Sequence, residues 1–167
     1  LGLLIYMYQM EPPLTVRPHA RHVAAICDMT WVYDHTRPFN DPTSPPNREF
    51  LRQLRGWRKV LSGEMGFYDY YGHWGALGPW PIVHKIREDL PAFREEGGTF
   101  VTFEVAPNFG MQGLNAYVAA RLSWDVEADV DLLLEDYYTR FYGPAAEAMR
   151  RFWGLAEQTM ALLAPGP

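Results

Sequence analysis

Four short runs, Leu3 to Tyr8, His22 to Asp28, Gly66 to Tyr71 and Thr99 to Val105, are nearly continuous in apolar or aromatic side chains instead of alternating with polar ones. A strand with one face in water alternates; a strand covered on both faces has no reason to, so these runs read as buried parallel strands. Between the second and third, Asn47 to Ser62 repeats Phe50, Leu51, Leu54, Trp57, Val60 and Leu61 at helical spacing. Between the third and fourth, Ile82 to Glu96 does the same with Val83, Ile86, Leu90 and Phe93, and Pro91 is expected to kink that helix or start a new turn. Strand and helix in alternation predict an α/β fold, a parallel sheet with its helices outside.

Three more helices follow the last strand, over Leu114 to Trp124, Asp129 to Tyr142 and Ala145 to Leu163. Asp129 is placed to cap the second of these, and Gly143-Pro144 to end it. The stripe of Met149, Phe152, Trp153, Ala156, Met160 and Leu163 on the third reads as packing. Loops after the strands are long and aromatic, loops before them are short, the Pro-rich stretch from Arg37 to Pro46 is a loop, and no glycine-rich phosphate loop follows any strand. That asymmetry favours the C-terminal half of a (β/α)₈ TIM-type barrel over a small open sheet. The division expected is residues 1–125 for the half barrel and 126–167 for a helical extension packed on it.

A formal charge of −5 with no Lys/Arg cluster, beyond a short run from Arg48 to Lys59 mixed with apolar residues, gives no footprint for nucleic acid. The longest apolar run falls far short of the roughly 20 residues of a membrane span. One cysteine, Cys27, allows no intramolecular disulfide, and no Cys/His spacing suits zinc, so neither metal nor cofactor is expected. The chain opens inside an apparent strand, which reads as a piece whose upstream sequence supplies the N-terminal half of the barrel as its partner.

In a parallel barrel, function gathers where the strands end. Asp69 and Glu104 are ionisable groups closing apolar strands, and a carboxylate there is costly unless paired, hydrogen-bonded or solvated in a cleft. Glycoside hydrolysis requires a carboxyl pair, so Asp69 and Glu104 are the candidate catalytic residues. The alternative for each is a structural carboxylate, capping a helix or pairing with an arginine such as Arg17 or Arg37. Tyr8, Asp28, Trp31, His35, Tyr70, Tyr71, Trp74 and Asn108 are the candidate substrate-binding residues. Aromatic faces such as those of Trp31 and Trp74 stack on the C–H faces of sugars, and neighbouring polar groups bind hydroxyls.

Particular landmarks carry a resemblance: Tyr8 with Pro12-Pro13, Pro38-Phe39-Asn40-Asp41, Asn47 to Trp57, Asp69-Tyr70, Gly97, Glu104, Leu114-Asn115-Ala116-Tyr117, Leu122-Ser123-Trp124-Asp125 and Tyr142-Gly143. With these, nearly the whole chain resembles the bacterial glycoside-hydrolase-like barrels of domain of unknown function 4838, related by fold to α-glucuronidases and β-hexosaminidases. The resemblance implies a (β/α)₈ barrel that handles a polysaccharide or glycan, with the general acid on a strand of the other half. A glycoside hydrolase is the first expectation, a non-catalytic carbohydrate-binding barrel the second, and an interaction domain the third.

Overall fold

All four apolar runs become strands of one sheet in a computed structural model that describes residues 2–27, 34–72, 78–105 and 108–162. They are β1 (Gly2–Ile5), β2 (Val23–Cys27), β3 (Met65–Asp69) and β4 (Phe100–Phe103), in the order β1-β2-β3-β4 with every neighbouring pair parallel. The fold is α/β, with helices α1 (Pro45–Val60), α2 (Val83–Glu95), α3 (Phe109–Trp124), α4 (Val130–Tyr137) and α5 (Ala146–Ala161) flanking the sheet.

Register divides the sheet into two unlike faces. Ile5, Ile26, Phe67 and Val101 pair across it as one row, and Leu4, Ala25, Gly66 and Phe100 as the next, so successive rows point to opposite sides. The first row lies against the helices: Ile5, Ile26 and Phe67 are fully buried with Phe50, Leu54 and Trp57 of α1 and Phe93 of α2. Phe67 stacks on Phe93 at 5.0 Å between ring centroids. The second row faces away from this core, as does the Gly2–Val23 pair, leaving Leu4 48% and Val23 39% exposed. Gly66 has no side chain because the Phe100 ring occupies that place; a Cβ there would lie 2.1 Å from it.

Helix ends follow local chemistry. Ser44 caps α1, accepting from the Asn47 N–H, and Pro45 and Pro46 fill the first turn, where no N–H is needed. The helix therefore starts inside the stretch expected to be loop. Gly97, at φ +88°, ends α2 with its N–H on the Arg94 carbonyl and the Gly98 N–H on that of Phe93. Pro91 does not interrupt α2, which continues as one helix to Glu95. Asp129 caps α4 as expected, accepting from Asp131 and Leu132. Beyond α4 the backbone widens into a π-helical turn, Tyr138–Tyr142, which replaces the continuous helix expected there. The Trp153 indole donates to the Tyr142 hydroxyl at 2.8 Å, and Gly143 ends the turn at φ +51°. Helices α2 to α5 share a second core that includes Ile86, Leu114, Val118, Val130, Trp153 and Met160.

No α-helix joins β1 to β2. Their crossover is instead held by α1, whose Trp57 indole N–H donates to the carbonyls of Met10 at 2.9 Å and Gln9 at 3.2 Å. Trp57→Phe keeps the ring in the core and removes that donor, leaving the buried Met10 carbonyl without it. A loss of about 1 kcal/mol in urea unfolding is expected.

Candidate functional site

Asp69 and Glu104 stand at the same end of neighbouring strands but on opposite faces of the sheet. Asp69 pairs in register with Phe103, on the helix side, and Tyr68 with Thr102, on the open side. Glu104, one residue beyond β4, accepts from the Tyr68 hydroxyl at 2.5 Å.

On the helix side, Asp69 is fully buried, and its carboxylate is engaged at both oxygens. Oδ2 receives the Lys85 ammonium at 2.5 Å; Oδ1 accepts the Tyr70 N–H at 2.5 Å and lies 3.4 Å from His35 Nδ1. Lys85, also fully buried, bridges to Asp89 one turn further along α2. Asp89 in turn accepts the Phe39 N–H at 2.9 Å and the Tyr71 hydroxyl at 3.4 Å. Burial alone would raise both carboxyls. For Asp69 the charges of Lys85 and His35 prevail and hold it well below the usual carboxylate range; for Asp89 burial wins, with the Asp69 charge adding to it, and the carboxyl is pushed up to about 6.

Three of the expected site residues lie in this buried cluster, on the helix side of the sheet. Asp69 ties β3 to α2 through Lys85, not through Arg17 or Arg37; Arg37 pairs with Asp34 instead. Tyr71 is a core residue with no exposed surface, tilted against Phe103. His35, 5% exposed, faces the buried Asp69 and meets the Tyr70 ring edge to face at 6.2 Å.

The open face gathers different groups at the C-terminal strand ends. Tyr68 and Tyr70 come from β3 and the residue after it, Glu104 follows β4, Cys27 closes β2, and Tyr6 follows β1. The Cys27 thiol lies 3.7 Å from the Tyr70 hydroxyl, which also meets that of Tyr6, and the Tyr68 and Tyr70 rings meet edge to face at 5.7 Å. Burial, and then the Glu104 charge, push the Tyr68 phenol up to about 12, so it keeps its proton and remains a donor to the carboxylate. The Tyr70 phenol is raised too, first by burial and then by its contact with Cys27.

Of the remaining expected binding residues, Tyr8 is 93% exposed in the 3₁₀ turn Met7–Gln9 and Asn108 is exposed at the start of α3. Asp28, Trp31 and Trp74 lie outside the described residues. Tyr6, Cys27 and Tyr68 belong to the site without having been singled out. The signal for Tyr68 is its place two residues before Tyr70, hence on the same side of a pleated strand. Among the described residues, no three His, Cys, Asp or Glu side chains are grouped to hold a metal, and no helix is long and apolar enough to cross a membrane.

Residues 1–154 match the family described as Domain of unknown function (DUF4838). The chain belongs to this family. The DUF4838 match takes in all four strands and ends within α5, so the open-face cluster and the buried Lys85 cluster both lie inside the family domain. No curated protein and no solved structure matches the chain.

Proposed function

We propose that the sheet is the C-terminal half of a (β/α)₈ barrel whose open face, closed by an N-terminal half of four further strands, binds and cleaves a polysaccharide or glycan. Glu104 is the reacting or sugar-binding carboxylate in this reading, Tyr68 the donor that orients it, and Tyr70 and Tyr6 supply ring faces and hydroxyls to the subsite. The observation that supports it is the convergence, at the C-terminal strand ends and on the side away from the helices, of Glu104 with a phenol held at 2.5 Å. Parallel barrels place their active sites at that end, and carboxylates with flanking aromatics suit a saccharide. The second carboxyl of a hydrolytic pair would come from a strand of the other half or from Asp28.

A binding barrel without turnover is the alternative, favoured by one fact: with Asp69 withdrawn under the helices, the described residues bring a single carboxylate to this face. Calorimetry of the intact protein against an oligosaccharide panel, with product analysis of the same mixtures, separates the two. Heat of binding with released sugar supports hydrolysis, heat without product supports the binding barrel, and no binding to any member contradicts both.

A further inference from the structure

Away from both clusters, His84 sits where three elements meet. Its side chain, on the first turn of α2, is 27% exposed and touches Glu157 of α5, which is 23% exposed. Both ring nitrogens face acceptors: Nδ1 meets Glu157 Oε1, and Nε2 lies 2.7 Å from the carbonyl oxygen of Thr36, in the loop between β2 and α1. A neutral imidazole carries one N–H and must turn a lone pair toward one of these oxygens; only the imidazolium donates to both.

Glu157 has a second task. The same Oε1 accepts the backbone N–H of His84 at 2.7 Å, and the residue before α2, Ile82, has no side-chain cap to offer. One carboxylate from α5 thus satisfies both the start of α2 and the ring of its second residue. Above these contacts lies a groove of about 290 Å³, lined in part by Leu114, Leu134, Tyr138 and Trp153. Other charged or titratable groups around His84 are Arg87, paired with Asp131, and Glu88 on α2, Tyr138 on the π-helical turn, and Lys85, which is turned to Asp69 and Asp89. From α3 and α4 the groove receives only apolar side chains among the described residues.

We propose that His84 is a pH-dependent clasp, holding α5 and the Thr36 loop against α2 while its ring carries two protons and loosening α5 when one is lost. Burial would lower the basicity of the ring, as would Lys85, but the hydrogen bonds and charge of Glu157 and the Thr36 carbonyl raise it above the ordinary value. A histidine raised on folding adds stability that is complete below its unfolded value and disappears as pH rises through the folded one, so the clasp opens on the alkaline side. Glu157 lies on the last half of α5, so the clasp pins the C-terminal part of that helix to the start of α2.

The test is a titration of the full chain followed by NMR of the His84 ring, together with hydrogen exchange of α5 corrected for its intrinsic pH dependence. His84 should titrate above its ordinary value, and α5 should lose about tenfold protection across the same interval, the size expected of one charge-assisted hydrogen bond. Glu157→Gln keeps an acceptor for the His84 N–H and removes the charge. It should move the His84 midpoint downward and bring the loss of α5 protection down with it. His84→Gln should abolish the pH dependence of α5 while the strands keep theirs. A wild-type His84 titrating at or below its ordinary value, or an α5 whose protection is indifferent to that titration, would overturn the clasp.

Discussion

Replacing Lys85 by Met should destabilise the chain by about 3–5 kcal/mol at neutral pH, because it takes away the ammonium that two buried carboxylates share. Lys85, Asp69 and Asp89 are all fully buried, so neither water nor salt can substitute for the lost ammonium. With about 2–4 °C of melting temperature per kcal/mol at this chain length, the midpoint should fall by roughly 6–20 °C. The pH dependence identifies the cause. In the wild type, Asp69 is depressed and its stabilisation is lost as pH falls through the carboxylate range; Asp89 is raised, so its contribution is present at low pH and lost as pH rises through about 6. Without Lys85 both acids prefer the protonated form, and the variant should gain stability between pH 7 and pH 5. A Lys85→Met melting point within 2 °C of wild type at pH 7, on the same scale, would show that the cluster is solvated.

The second large effect belongs to the other face. Glu104→Gln keeps the shape and an acceptor for Tyr68 but removes the charge, and in a glycan-cleaving protein it should lower kcat by a factor of about 10²–10⁴ with little change in melting temperature. Tyr68→Phe removes one hydrogen bond to that carboxylate and should cost about tenfold in rate, also with the fold intact. Asp69→Asn should show the reverse pattern, losing stability first, since its carboxylate reaches Lys85 and not the open face. Rate assays paired with thermal melts on these three variants would distinguish the two faces. Equal losses of rate and stability in all three would contradict the division.

Strand content was readable because the four strand runs are apolar or aromatic on both sides, and the same fact concealed which residue faces which way. In Phe67-Tyr68-Asp69-Tyr70-Tyr71 every residue is aromatic or acidic, so no alternation announces that Phe67, Asp69 and Tyr71 turn to the helices while Tyr68 and Tyr70 turn away. The face is fixed by partners distant in sequence: Phe39, Phe50 and Phe93 for Phe67, Lys85 for Asp69. A clue was present on α2. Lys85 and Asp89, four apart, flank Ile86 on the apolar stripe of that helix, where charges are costly unless matched. They called for a third charge, and the only acidic residue inside the third strand run is Asp69. Helix ends were legible where one residue decides them, at Asp129 and Gly143, and misplaced where capping outweighed composition, as Ser44 with Pro45 and Pro46 did at the start of α1.

The most direct test is a crystal structure of the intact protein with an oligosaccharide bound. A sugar ring against Tyr68 or Tyr70, hydrogen-bonded to Glu104 while Asp69 remains on Lys85, is the predicted result. A saccharide seated elsewhere with Glu104 out of its reach, or Asp69 released from Lys85 to hold it, would contradict the account.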